Sequence, residues 1–249
     1  MPALRLVALV LAAGVLSACV SGPVVTVDTS GAPTRTAPAP APKRSAPPQV
    51  SRSVEGKARQ FTNVVNRVMP VARAACEART VRTRCDYRIV VDDRKGVPAN
   101  AFQTLGKNGQ PIVGFTLPLI METRNEDELA FVLAHEAAHH IEGHIARGRS
   151  SAQLGAILAG AAAAAGGASD RVIRDVQNAG AFVGSRTFAK SFEIEADALG
   201  TVLAKRAGYD PIRGAEFFRR VPDPGNVFLG THPPNADRIA TVRRVAAGL

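Results

Sequence analysis

Residues 135–139 read His135-Glu136-Ala137-Ala138-His139, and this pattern restricts the fold more than any other part of the chain. On an α-helix the two histidines, four residues apart, share one face, where both imidazoles can bind a single Zn2+ ion. Glu136 sits one step round, beside the position that such an ion leaves open. The flanking residues fit a helix, because Asn125 can cap its start and Glu128, three residues later, completes a capping box. With five histidines in 249 residues, coincidence supplies the pattern at odds of about 0.4%. The fold must therefore bring at least one further ligand against this helix.

Position decides where that ligand comes from. An extended motif of the form HExxHxxGxxH would place glycine at position 142 and histidine at position 145, where the chain has Glu142 and Ile145. His140 and His144 lie about 100° and 180° from the faces of His139 and His135. Helix geometry withholds them from the same ion and leaves them as polar residues on the helix flank. The segment Ser191-Phe192-Glu193-Ile194-Glu195-Ala196-Asp197 places Glu193 and Asp197 at i, i+4 on a second predicted helix. One of these carboxylates can bind zinc while the other accepts the free N–H of a ligand histidine. Glu195 points about 200° away and suits a surface or salt-bridge role.

The rest of the folded region reads as α+β, mainly helical, with a small antiparallel sheet above the metal-binding helix. Phe61, Val64, Val65 and Val68 recur at helical spacing up to Pro70, and that helix continues, kinked, toward Cys76. Arg88-Ile89-Val90-Val91 is a β-branched run, and Ala101 to Leu105 and Ile112 to Thr116 flank the turn residues Lys107-Asn108-Gly109. Ser151 to Gly167, rich in Ala, Gly and Leu, is about one turn short of a membrane span and is interrupted by glycine. It reads as a closely packed helix or helical hairpin, with a dip into a membrane as the alternative.

The ends carry a second message. Residues 1–18 place one basic residue, Arg5, before an apolar stretch from Leu6 to Leu16 and close on small residues, the form of a secretory signal peptide. Leu16-Ser17-Ala18-Cys19 resembles the lipobox of bacterial lipoproteins, which makes Cys19 the acylated first residue of the mature chain. Val20, rather than an aspartate, favours the outer membrane. Residues 19–52 are rich in Pro, Ala, Thr and Ser and read as an extended tether, with the folded domain at 53–249. Export leaves Cys76 and Cys85 as an even pair in an oxidising compartment. A bridge across so short a loop contributes roughly 2–3 kcal/mol. The net charge of +10, from 31 Lys and Arg against 21 Asp and Glu, comes without a dense basic run or an aromatic stacking platform. It implies a solvated surface suited to anionic lipid headgroups or acidic substrates rather than nucleic acid.

The HExxH motif, the ExEAD segment at Glu193–Asp197, and Thr231-His232-Pro233-Pro234 with Arg238-Ile239 together resemble the gluzincin peptidase family that contains the CAAX prenyl endopeptidases, HtpX and BepA. The likeness runs from about Ala99 to Ala246 and includes Asn100-Ala101-Phe102 and Asn125-Glu126-Asp127-Glu128-Leu129. It implies a zinc metallopeptidase domain with His135, His139 and Glu193 as ligands and one Zn2+ per chain. It further implies Glu136 as the general base, Asp197 as the carboxylate behind a ligand histidine, and His232 as a residue facing the metal. There His232 either plugs the site or aids catalysis. The implied partners are unfolded or misassembled envelope proteins and, through the lipid, the periplasmic face of the outer membrane. BepA-like members carry tetratricopeptide repeats after this domain; the sequence here matches a form without them.

Overall fold

The structure, a computed structural model, describes residues 24–27, 54–223, 225 and 232–249. The signal peptide, Cys19, Thr231 and all of the tether except residues 24–27 lie outside the described residues. The described elements are helices α1 (Val54–Arg79), α2 (Leu117–Glu122), α3 (Glu126–Ile141), α4 (His144–Ala165), α5 (Asp170–Thr187), α6 (Ala189–Arg206), α7 (Pro211–Ala215) and α8 (Asn235–Ala247), with strands β1 (Val24–Val27), β2 (Arg88–Asp92), β3 (Ala101–Leu105) and β4 (Pro111–Thr116). The architecture is α+β.

Helix α3 is the axis of the domain. Asn125 caps it, its side chain accepting from the Glu128 N–H at 3.0 Å, and the Glu128 carboxylate takes the Arg124 N–H at 2.7 Å. Glu128 is buried, and Arg220 grips both of its oxygens at 2.6–2.7 Å. Nearly every residue of α3 is buried, as a helix enclosed on all sides requires. The alanines Ala130, Ala134, Ala137 and Ala138 keep it slim enough for neighbours to approach. Helix α1 supplies Val64, Val65, Val68 and Ala72 to the core and runs on through Pro70 to Arg79. A disulfide between Cys76 and Cys85, with Cα atoms 5.8 Å apart, ties its end to the segment before β2.

Helix α6 lies so close to α3 that a Cβ on Gly200 would come within 3.0 Å of the His135 backbone nitrogen. Glycine at that crossing is what allows carboxylates one and two turns earlier on α6 to reach the imidazoles of α3.

The sheet is mixed, in the order β1-β2-β4-β3, which corrects the all-antiparallel expectation. The β3–β4 hairpin is antiparallel about the turn at Lys107–Gly109, as its turn residues predict. Residues 93–100, however, carry the chain from the end of β2 across to the far edge, so β2 meets β4 in parallel instead of meeting β3. Strand β1 pairs antiparallel with β2, Val25 opposite Val91. Its Val-Val-Thr-Val sequence favours a strand within a segment read as extended tether. Strand β3 is left as the edge nearest the metal-binding helix.

Helices α4 and α5 form an antiparallel hairpin, packed chiefly on itself. A Cβ on Gly155 would collide with the Gly180 carbonyl, and one on Gly184 with the Ser151 carbonyl, so the two backbones touch directly. Leu154, Ile157, Leu158, Phe182 and Val183 remain exposed. Among the described residues no helix is long and apolar enough to cross a membrane.

Candidate metal centre

The donor atoms of His135, His139 and Glu193 all lie within 4.8 Å of one another. The His135 and His139 Nε2 atoms are 3.0 Å apart. Glu193 sends Oε2 to within 3.5 Å of His135 Nε2 and Oε1 to within 3.3 Å of His139 Nε2. Tetrahedral zinc with ligands at about 2.0–2.1 Å sets its ligand atoms about 3.3 Å apart, so the three separations match that spacing. Two imidazole nitrogens facing each other with carboxylate oxygens beside them make a donor set that only a cation or a proton can satisfy, and the residues fit zinc.

Asp197 is fully buried on α6. Its Oδ1 takes the His135 Nδ1–H at 2.9 Å, which leaves Nε2 with its lone pair toward the site. Arg238 on α8 then clamps Asp197, donating to both carboxylate oxygens at 2.7 Å, and reaches Glu193 Oε2 at 3.5 Å. Its guanidinium lies 3.9 Å over the Phe218 ring, so a buried cation is stacked and paired at once. Sequence reasoning named Arg238 only within a motif and gave it no task. A cation so near the predicted His232 loop was the available signal.

The electrostatics follow from this packing. Burial works against a charged His135, but hydrogen bonds to Asp197 and Glu193 outweigh it and raise the group to about 9. Burial likewise pushes Glu193 up, yet hydrogen bonds from His135, His139 and His232 hold it well below the ordinary carboxylate range. Asp197 is lowered against its own burial by Arg238 and His135. Glu136 goes the other way, raised because it is buried.

Glu136, His135, His139, Glu193 and His232 line one cleft of about 390 Å3. Ala99, Asn100 and Ala101 at the start of the edge strand β3 also line it, as do Phe131 and Phe217. His232 is half exposed, with Nδ1 3.2 Å from Glu193 Oε2. The structure thus brings together every predicted residue of the metal site. Glu195 forms an ion pair with Arg147 at 2.5 Å. His140 and His144 are buried rather than set on a solvated flank. His140 bonds through Nε2 to the Arg84 carbonyl at 2.7 Å and meets the Tyr87 ring edge-on. His144 packs flat on Phe192, ring centroids 4.6 Å apart, and burial lowers its pKa to about 4.

Comparison with known proteins agrees with this geometry. The chain is 32% identical over 193 residues to the beta-barrel assembly-enhancing protease of Yersinia pestis, covering 70% of this chain and 37% of that protein. It is 29% identical over 191 residues to the protein of that name from Escherichia coli K12, with the same coverage. A mitochondrial metalloendopeptidase of Schizosaccharomyces pombe matches at 29% over 125 residues, 48% of this chain and 36% of the relative. The chain therefore spans little more than a third of the length of these relatives. The model of peptidase family M48 matches residues 57–246, which takes in nearly all of α1 and α8, the sheet from β2 onward and the metal centre. The chain belongs to peptidase family M48.

Proposed function

We propose that this chain is a zinc-dependent endopeptidase, tethered by lipid on Cys19 to the periplasmic face of the outer membrane of a bacterium and acting on envelope proteins in their quality control. The observation that carries the reading is the convergence of His135, His139 and Glu193 at zinc spacing on the same cleft as the buried Glu136. A purely structural site has no use for a base beside an open position. Relatives named for enhancing β-barrel assembly favour envelope proteins as clients.

His135, His139 and Glu193 would hold the ion, which when bound supplies a Lewis acid that polarises a scissile carbonyl and acidifies a water molecule. Glu136 takes the proton of the attacking water and delivers it to the leaving amine. Asp197 keeps the His135 tautomer fixed, and Arg238 keeps Asp197 in place. A substrate lies extended against the free edge of β3, adding a strand above α3. Phe131 and Phe217 give the cleft part of its apolar lining.

The contact of His232 with Glu193 supports a second, linked reading. Resting on a ligand carboxylate at the cleft mouth, His232 restricts entry and keeps the enzyme largely latent, closer to an assembly factor that cuts rarely. One comparison of cells tests both. Envelope proteins cleaved by the wild type should accumulate intact in cells carrying Glu136→Gln, and their fragments should increase with His232→Ala. An unchanged envelope protein profile in Glu136→Gln cells would sink the substrate assignment, and fewer fragments with His232→Ala would make that residue an aid to catalysis.

A further inference from the structure

The two ligand histidines are backed differently. Behind His135 stands a carboxylate, Asp197. Behind His139 stands another imidazole, with His144 Nδ1 2.8 Å from His139 Nδ1. Resting on the reading of His135, His139 and Glu193 as zinc ligands, we propose that His144 is a positioning residue for the metal site, holding His139 through a relay that ends at the surface pair Glu195–Arg147.

The hydrogen-bond directions are forced once His139 presents the lone pair of Nε2 to the site. Its Nδ1 then carries the proton and donates to His144 Nδ1, which must be an acceptor. The His144 proton is therefore on Nε2, where it meets Glu195 Oε2 at 3.2 Å. Arg147 fixes Glu195 with two contacts, at 2.5 and 3.1 Å. The ring of His144 is held flat on Phe192, and the Arg147 guanidinium covers the same ring at 4.5 Å. Every member of the chain is thus locked by a second contact.

The local fold explains how His144 gets there. In an unbroken helix a residue five positions on would point about 140° away from His139. Helix α3 ends at Ile141, Gly143 takes the left-handed backbone at φ 67°, and α4 starts afresh at His144. That break turns His144 back onto His139. The last links of the relay are Arg147, in the first turn of α4, and Glu195 on α6, so the relay ties two further helices to one ligand on α3.

Zinc affinity of the full chain, measured by chelator competition, together with the visible spectrum of the cobalt-substituted protein, tests the proposal. His144→Phe keeps the stack on Phe192 but removes the acceptor; it should weaken zinc about 10–100-fold and shift the cobalt bands, as losses of outer partners of ligands do. His144→Gln, with a carbonyl acceptor and an amide donor, should recover most of that loss. Glu195→Ala, a change at a partly exposed position, provides a second probe in case the Phe variant does not fold, and should weaken zinc about tenfold. Wild-type affinity and spectrum in His144→Phe or in Glu195→Ala would overturn the relay, as would a His144→Gln loss equal to that of Phe. A wild-type chain that binds no zinc would instead overturn the ligand assignment beneath it.

Discussion

The α3–α6–α8 core and the α4–α5 hairpin are built on opposite rules. In the core, buried polar groups are tied in pairs: His135 to Asp197, Asp197 to Arg238, Glu128 to Arg220. In the hairpin the backbones touch through glycine, α5 buries no residue, and leucine, isoleucine, valine and phenylalanine side chains face outward. The difference teaches where specificity lies. A network of buried charges tolerates one arrangement, because removing any member strands its partner in low dielectric. A glycine-lined contact is close but carries little that fixes chemistry. The metal site needs the first kind of construction, and the hairpin meets it at its base, through His144.

The largest expected effect breaks the core. Glu193→Ala removes one of the three proposed ligands, and the purified variant should hold no zinc by metal analysis where the wild type should hold one ion. Retained zinc would remove Glu193 from the ligand set.

A smaller effect comes from removing the metal and changing pH. His135 in the metal-free protein is raised to about 9 from 6.5, so its charged form is favoured by folding. That contribution is complete below about pH 6.5 and is lost as pH rises through about 9. Zinc takes the place of that proton, so the gap in melting temperature between loaded and metal-free protein should widen by roughly 5 °C from pH 6.5 to 9. A gap that narrows would mean that the two carboxylates do not hold a proton on His135.

Much of the core was legible in the sequence because its signals are local. The Asn125 cap, the two histidines at i, i+4 and the pair Glu193 and Asp197 at i, i+4 each follow from helix periodicity, and the hairpin turn Lys107-Asn108-Gly109 from its own residue types. What escaped depends on partners far along the chain. Arg238 acts on Asp197 from 41 positions away, and no periodicity announces that. The helical wheel gave the directions of His140 and His144 but not what packs on that side, nor that Gly143 breaks the helix before His144. Strand order escaped for a similar reason: a turn reports the two strands it joins, whereas the crossing at residues 93–100 is set by where the sheet needs its edge.

The smallest effect belongs to the hairpin. Gly180→Val should push the α4 and α5 backbones apart, since a side chain there meets the Gly155 carbonyl. Limited proteolysis should then cut within residues 150–185, while zinc affinity stays within about threefold because mid-hairpin contacts do not reach the ligands. Loss of zinc in this variant would erase the contrast between the two regions.

The central claim, that the buried core is a hydrolytic site with Glu136 as its base, is tested most directly by purified Glu136→Gln, with zinc content and casein hydrolysis measured side by side. The amide keeps the shape of the side chain and removes the proton acceptor, so the variant should retain one zinc per chain and lose hydrolysis by at least about 100-fold. Full zinc with undiminished hydrolysis would contradict the account.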